Sequence, residues 1–146
     1  MMFTIALLCL FAMSAFFVAA IGAEVYENSA KKLQENFDAR ASIVYVSEKI
    51  RACSEGTADV RELEGNSAIV ISSTYDGRVH ESWIYIHDGH LFEATKSAGV
   101  TLDPKAGQRI MPLNDLSAEK SDTGIEISIT TDAGYTLSTM IARRID

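Results

Sequence analysis

The chain has 146 residues, a net charge of -7 and a sequence pI near 4.9. Nucleic-acid-binding proteins cluster Lys and Arg on one face, so this acidic balance argues against a nucleic-acid partner. Two cysteines are too few for a disulfide framework. Without the apolar N-terminal segment roughly 120 residues remain, which is the size of one domain.

The first 23 residues carry no charged side chain, and Phe3 to Ile21 is almost entirely apolar. A bilayer core of about 30 Å needs about 20 apolar residues in a helix. Residues 1–23 are therefore predicted to form the transmembrane half of an N-terminal helix. A secretory signal peptide is the alternative, with Ile21-Gly22-Ala23 as its cleavage site. The length of the run and the lack of Lys or Arg before it favour a retained helix.

Charge leaves the orientation of this span open. Lys31, Lys32 and Arg40 follow the apolar run, and no basic residue precedes it. The positive-inside rule then places the C-terminal part in the cytoplasm, and the acidic residues nearby weaken that signal only slightly.

Residues 24–55 are predicted to continue the same helix as an amphipathic half. Between Ala23 and Glu55 there is no glycine and no proline. Apolar residues recur at steps of three and four, with one break in register, which indicates a helix packed on one side. They are Tyr26, Ala30, Leu33, Phe37, Ala41, Val44, Val46, Ile50 and Cys53.

This helix is predicted to end near residues 54–56, with Gly56 in the left-handed C-terminal position. At 1.5 Å per residue, Cys9 and Cys53 lie about 66 Å apart on it and cannot pair. Cys9 then acts as a small apolar side chain. Cys53 is interpreted as a buried residue at the helix end, with a bridge between two copies as the alternative.

Three strands are predicted to follow as an antiparallel meander. Residues 57–65 are polar, with alternating charges, and are interpreted as a connector. Asp76-Gly77 and Asp88-Gly89 are turn signals between runs rich in β-branched and aromatic residues. The predicted strands are Ser67 to Thr74, Val79 to His87, and Leu91 to Thr95.

The last third is predicted to add a second hairpin. Residues 96–107 are a loop, and 110–116 form a short edge strand or an irregular crossing, since Pro112 cannot donate to a ladder. Residues 119–122 are interpreted as a charged turn. Gly124 to Thr131 alternates apolar and polar residues, 132–134 turn the chain, and Tyr135 to Ile141 pairs back.

These elements predict an α+β fold. A long N-terminal helix packs through its amphipathic half against an antiparallel β-sheet of about five or six strands, formed by residues 56–146. The buried face of the sheet needs a partner, and the apolar stripe from Tyr26 to Cys53 is the long one available.

The three histidines, His80, His87 and His90, offer weak evidence for a metal site. His87 and His90 flank a two-residue turn and so face each other, with Asp88 at the apex. A useful zinc site needs three or four ligands. An exposed hairpin tip explains these residues more simply.

The aromatic residues in and beside the second strand have two possible interpretations. Trp83 and Tyr85 share one face of the strand, and Tyr75 precedes it. They form either a recognition surface or, as is more usual for strand aromatics, part of the packing. The chain has no phosphate-binding loop, HExxH, Gly-x-Ser-x-Gly or CxxC motif. We therefore expect neither an enzyme activity nor a cofactor or metal.

This layout resembles type IV pilins and the pseudopilins of type II secretion. In that family a continuous N-terminal helix anchors the subunit in the membrane, packs in the filament core and cradles an antiparallel sheet. Phe3-Thr4-Ile5-Ala6-Leu7 looks like the start of a mature pilin. Residues 83–91 with Leu113-Asn114-Asp115-Leu116 are similar to minor pseudopilins of the J type and of the competence pilus. Residues 21–26 with 45–51 resemble a pilin-like family of Gram-positive gut bacteria that has no established activity.

The resemblance implies a minor subunit of a type IV pilus, type II secretion or competence-like filament. It would sit in the cytoplasmic membrane by a single pass with its C-terminal domain outside, and its partners would be other pilin-like subunits and assembly platform proteins. One position departs from the family: Leu7 stands where pilins usually carry the glutamate thought to pair with a neighbouring subunit's N-terminal amine. A membrane-tethered extracellular binding domain is the alternative, with either the outer sheet face or the surface of Trp83 and Tyr85 contacting a ligand.

Overall fold

The computed structural model describes residues 1–52, 57–131 and 134–142. The chain divides into two compact units, residues 1–34 and residues 35–146. The first unit is helical throughout from Met2. The second contains the end of the helix and, among the described residues, eight strands. The predicted α+β class is confirmed.

The N-terminal helix, α1, spans Met2–Arg51. Lys49 and Arg51 lie in its last turn, where positive charge complements the helix dipole. The predicted end of the helix at residues 54–56, with Gly56 left-handed, and the predicted burial of Cys53 all lie outside the described residues. Cys9 is exposed.

Five strands form one antiparallel sheet in the order β1-β2-β3-β4-β5, which is also their order in the chain. The three predicted strands of the meander are confirmed as β2, β3 and β4. Asp76 and Asp88 adopt positive φ angles of 51° and 48°, and the glycine after each is also left-handed, as two-residue hairpin turns require. The strand bounds are Thr57–Leu63, Asn66–Tyr75, Arg78–His87, His90–Ser97 and Gln108–Pro112.

Three further strands form a second antiparallel sheet in the order β6-β7-β8. The predicted second hairpin is confirmed as β7 and β8, which pair from Gly124↔Ala142 to Thr130↔Thr136. Of the turn predicted between them, residues 132 and 133 lie outside the described ranges. The strand bounds are Asp115–Ser121, Gly124–Thr130 and Thr136–Ala142.

Two segments predicted as turns or connectors are strands. Residues 57–63 are β1, and all seven of its residues pair with β2. Residues 119–121 continue β6, which turns only at Asp122 and Thr123. The charged residues of these segments led to the prediction of a connector and a turn. Such residues are compatible with β1 and β6 because both are end strands, where side chains reach water. In place of the predicted single sheet of five or six strands, the described part of the chain has two sheets with eight strands in total.

One hydrophobic core joins both sheets and the last part of α1. Ile69 and Ile84 from the first sheet, Ile127 and Ile129 from the second, and Val46 from the helix are all fully buried. The isoleucines predicted to alternate along β7 therefore do face the core.

The helix packs on the core through only the last part of the predicted stripe, where Val46 is buried and Ile50 packs against the core. Its buried residues are Ala39, Ser42, Val46 and Ser47, whereas Tyr26, Leu33, Phe37 and Val44 are 56–78% exposed. Small side chains let the helix approach a sheet surface that already carries bulky isoleucines. The hydroxyl of Ser42 donates to the Asp38 carbonyl oxygen at 2.8 Å, so its polar group is satisfied in the core.

Candidate functional site

A cleft opens where β4 and β5 separate. The two strands pair only over His90–Glu93, with a bulge between Leu91 and Phe92, although β4 continues to Ser97. The loop after β4 is instead held against β3 by the hydroxyl of Tyr85, which donates to the Pro104 carbonyl oxygen at 2.8 Å. The cleft, which is lined by α1, β4, this loop and β5, has a volume of about 760 Å³.

A three-residue polar network forms one side of this cleft. The hydroxyl of Tyr45 donates a short hydrogen bond to the Glu93 carboxylate, and Lys49 Nζ lies 2.7 Å from Glu93 Oε1. Tyr45 and Lys49 are one helical turn apart on α1, and the ammonium sits 5.4 Å from the centre of the Tyr45 ring. The remaining walls include Thr95 and Lys96 from β4, and Thr101 and Asp103 from the loop.

Burial and the shared carboxylate change the acid–base properties of this network. Desolvation, followed by the bond to Glu93, raises the pKa of Tyr45. The bond to Glu93 is the main cause that raises the pKa of Lys49. Tyr45 therefore stays neutral and Lys49 charged at neutral pH. The cleft offers a carboxylate, an ammonium and hydroxyl groups to a ligand, with no activated nucleophile among these groups.

Trp83 and Tyr85 pack rather than form a recognition surface. Their side chains are 8% and 1% exposed, on the face of the first sheet opposite the main core. Tyr85 stacks on Phe92, its cross-strand neighbour, with ring centroids 5.9 Å apart. Leu102 from the loop packs on the same cluster. The packing interpretation is confirmed, and the alternative ligand surface is wrong because these rings are covered. Tyr75 is 77% exposed and stands apart.

A buried carboxylate joins this aromatic cluster to two cations. Glu81 accepts from Lys96 Nζ at 2.8 Å, from the indole N–H of Trp83 at 3.1 Å and from Arg61 at 3.0 Å. The Lys96, Trp83 and Arg61 hydrogen bonds lower the pKa of Glu81 to about 2, against the opposing effect of burial. Both cations also lie over the Trp83 ring, at 5.2 and 5.6 Å from its centre. Sequence reasoning missed this network, although Glu81 and Trp83 two positions apart on a strand share one face.

The histidines do not converge. His87 and His90 pair across the hairpin as predicted. His87 Nδ1 nevertheless lies 3.4 Å from a Glu64 carboxylate oxygen, while His90 Nδ1 bonds the Asp88 carbonyl oxygen at 2.8 Å. Across the described ranges no three His, Cys, Asp or Glu side chains are grouped as a metal site.

The apolar part of α1 is a candidate membrane span. It is long and apolar enough to cross a bilayer, and none of its most apolar window is buried. This is consistent with a single-pass membrane protein.

Residues 37–132 match a family described as a domain of unknown function, DUF4860. The match covers the later part of α1 and every strand up to β7, and the chain belongs to this family. No curated protein and no solved structure matches the chain.

Proposed function

We propose that the protein is a minor, pilin-like subunit of a type IV pilus, type II secretion or competence-like filament, with a structural or assembly role. Its apolar helix anchors the subunit in the cytoplasmic membrane, and the strand-rich unit lies outside. Other pilin-like subunits and assembly platform proteins are its partners, and it has no catalytic role.

The observation that carries this proposal is an exposed apolar stripe on α1 beyond the membrane span. Phe37 and Val44 are 67% and 56% exposed. The buried Val46 lies nine positions after Phe37, so at about 100° per residue the two side chains point in directions about 180° apart. The stripe therefore lies on the side of the helix opposite the one that packs on the core.

Lipid does not account for this stripe. Glu24, Glu27, Lys31 and Lys32 precede Phe37 on the same helix, and a hydrocarbon core rejects that density of charge. Large apolar side chains repeated along an exposed helix face mark a contact with another protein. In the sequence, Tyr26 and Leu33 precede Phe37 at steps of seven and four, which is the spacing of helix-to-helix packing.

Photo-crosslinking in membranes of the producing cell tests this proposal. Phe37 is replaced by a benzophenone amino acid, and Tyr75, an aromatic residue 77% exposed on the first sheet, is the matched control position. We expect Phe37 to yield adducts with chains that carry the same kind of N-terminal helix, and Tyr75 to yield few. Adducts with lipid alone, or equal amounts of protein adduct from Phe37 and Tyr75, would contradict the filament proposal.

The cleft favours a second candidate, a membrane-tethered extracellular domain that binds a small polar ligand. Its lining of carboxylate, ammonium and hydroxyl groups suits a ligand with both donors and acceptors. Thermal-shift measurements on the full chain in detergent, with monosaccharides and free amino acids as probes, test it. Binding that Glu93→Gln abolishes and Glu62→Gln preserves would support this function, and no shift with either class would remove it.

A further inference from the structure

Each sheet ends in two strands that have a neighbour on one side only. They are β1 and β5 in the first sheet, and β6 and β8 in the second. An end strand presents free backbone N–H and C=O groups, and native proteins usually block such edges with charge, proline or a covering element.

Three of the four end strands are blocked in this way. β1 carries Asp59, Arg61 and Glu62, and β5 ends in Pro112. β6 carries Glu119 and Lys120 and packs beside the first sheet, and its Lys120 bonds Asp59 of β1 at 2.7 Å.

Within the described residues, the fourth end strand, β8, has none of these features. Thr136–Ala142 contains no charged residue and no proline, and it pairs with β7 without a bulge. In the described parts of the chain, the hydrogen bonds that reach β8 come from β7 and its flanking turns.

The hydrogen-bond pattern tells which groups of β8 face outwards. Thr131 N–H donates to the Tyr135 carbonyl oxygen at 3.0 Å, so these two form a hydrogen-bonded pair. Bonded and non-bonded pairs alternate in an antiparallel ladder. The backbone groups that point away from β7 therefore belong to every second residue, all exposed: Thr136, Ser138, Met140 and Ala142.

We propose that β8 is a pairing edge for a second copy of this chain. The two β8 strands run antiparallel, with Thr139 opposite Thr139 of the second copy, and join two three-stranded sheets into one of six. This register uses the whole strand, because Thr136 then faces Ala142 and Ser138 faces Met140, each through outward backbone groups.

Self-complementarity favours a second copy as the occupant, because in this register every outward backbone group of β8 meets an outward group of the same strand in the other copy. Each chain carries a net charge of -7, so two copies repel, and a neutral strand is where they can meet with the least added repulsion. β8 is the uncharged end strand among the described residues, and in this register no charged side chains of β8 oppose one another. The central Thr–Thr pair is of a kind that stabilises neighbouring strands.

The size of the contact sets where pairing occurs. About eight backbone hydrogen bonds form, but one strand pair buries less than the roughly 1,000 Å² that a stable soluble dimer needs. Pairing is therefore weak in dilute detergent and strong where many copies share one membrane, because tethering raises the effective concentration. It does not depend on the filament proposal, since two tethered copies suffice.

Disulfide trapping of the full chain in membranes tests the pairing. In a Cys9→Ala/Cys53→Ala background, Thr139→Cys places two thiols at a non-hydrogen-bonded pair, where the Cα atoms lie about 4.5 Å apart and a disulfide fits. We expect mild oxidation to give a dimer with twice the chain mass. Glu62→Cys, an exposed position on the blocked strand β1, is the control and should stay monomeric.

Two charge variants of the Thr139→Cys chain separate strand pairing from random collision. Ser138→Lys/Met140→Lys places like charges opposite each other across the proposed contact, and Ser138→Glu/Met140→Lys places opposite charges there. Both variants share the Met140→Lys substitution, which faces Glu126 of β7 within each copy, so that cross-strand pair is the same in the two.

We expect the dimer yield to fall about fivefold or more for the first variant and to be retained for the second. Equal yields from Thr139→Cys and Glu62→Cys, equal yields from the two charge variants, or an adduct with a different protein would each overturn the proposal. Crosslinking at Phe37 and disulfide trapping at Thr139 are independent measurements, so the filament proposal and the β8 pairing can each fail without the other.

Discussion

Glu81 and Lys96 stand directly opposite each other on β3 and β4, with Nζ 2.8 Å from the carboxylate. The pair is largely covered, since the two side chains are 8% and 13% exposed. Arg61, which is 43% exposed, completes the network from β1. The network therefore ties β3 and β4 to β1, reaching across the intervening β2, on the face opposite the main core.

Acid is expected to destabilise the protein through Glu81. Its pKa is about 2 in the folded chain and 4.5 in the unfolded reference. A depressed pKa contributes stability above pH 4.5, and that contribution is lost as pH falls from 4.5 towards 2. We expect about 2 kcal/mol, less than the full shift implies, because solvent screens Arg61.

Urea unfolding of the full chain in detergent, followed by the fluorescence of the single tryptophan, measures this effect. Glu81→Gln should lower the free energy of unfolding by about 2 kcal/mol at about pH 6 and by much less at about pH 2.5. The exposed Glu62→Gln is the control. A Glu81→Gln deficit that does not change with pH would show that the carboxylate charge is unimportant.

The Tyr45 network is expected to make stability depend on alkaline pH. The pKa values of Tyr45 and Lys49 are both raised by folding. A raised pKa contributes stability below the unfolded value, here 10.0 and 10.5, and that contribution is lost as pH rises through the folded value.

Tyr45→Phe should reduce the free energy of unfolding by about 1–2 kcal/mol at about pH 8, since Glu93 loses one of its two donors. Urea unfolding at about pH 8 and about pH 11 measures it. The difference between Tyr45→Phe and the original chain should shrink at the higher pH. A constant difference would mean that the contribution of the hydroxyl does not depend on the proton it donates to Glu93.

Local signals predicted the hairpins correctly. Asp76-Gly77 and Asp88-Gly89 fix a two-residue turn by their own backbone preferences, so no distant residue is needed to recognise them. The alternation of isoleucines along β7 is also a local signal, because successive residues of a strand point to opposite faces of the sheet. β1 was missed because Asp59, Arg61 and Glu62 look like a connector unless the pairing with β2 is known.

The cleft and the helix register depend on contacts that sequence spacing does not contain. Tyr45 and Glu93 are 48 positions apart. The apolar stripe through Phe37 was recognised, but periodicity shows that a face is apolar and not what covers it. Val46 of the predicted stripe does pack in the core, but the other buried residues of the helix are small, such as Ala39 and Ser42, which leave room for the isoleucines of the sheets.

The loop that closes the cleft should depend on Gly107. A Cβ at this position would lie 2.3 Å from the Tyr85 hydroxyl oxygen and 3.1 Å from the Glu93 carbonyl oxygen. Gly107→Ala is therefore expected to cost about 1–3 kcal/mol, since the hydroxyl must leave the Pro104 carbonyl oxygen.

A double-mutant cycle with Tyr85→Phe tests this cause. Removing the hydroxyl removes the closest clash, so the double variant should be about 1 kcal/mol more stable than the two single effects predict when added. Additive effects would place the cost of Gly107→Ala in the backbone instead.

The helix register gives the most direct test of the packing. Ala39 is fully buried and Phe37 is 67% exposed, two positions apart on α1. Ala39→Leu should overfill the core and cost about 1–3 kcal/mol. Phe37→Ala should change the free energy of unfolding by less than about 0.5 kcal/mol, since it removes a side chain that the chain itself does not cover.

The comparison is made in detergent, where copies are dilute, and Val46→Ala serves as a second buried control with an expected loss of about 2 kcal/mol. If Phe37→Ala cost about 3–5 kcal/mol, as truncation of a buried phenylalanine does, the stripe would face the core and be unavailable to a partner. If Phe37→Ala is neutral for folding but abolishes crosslinking by a probe at Val44, the stripe contributes to assembly and not to the stability of the single chain.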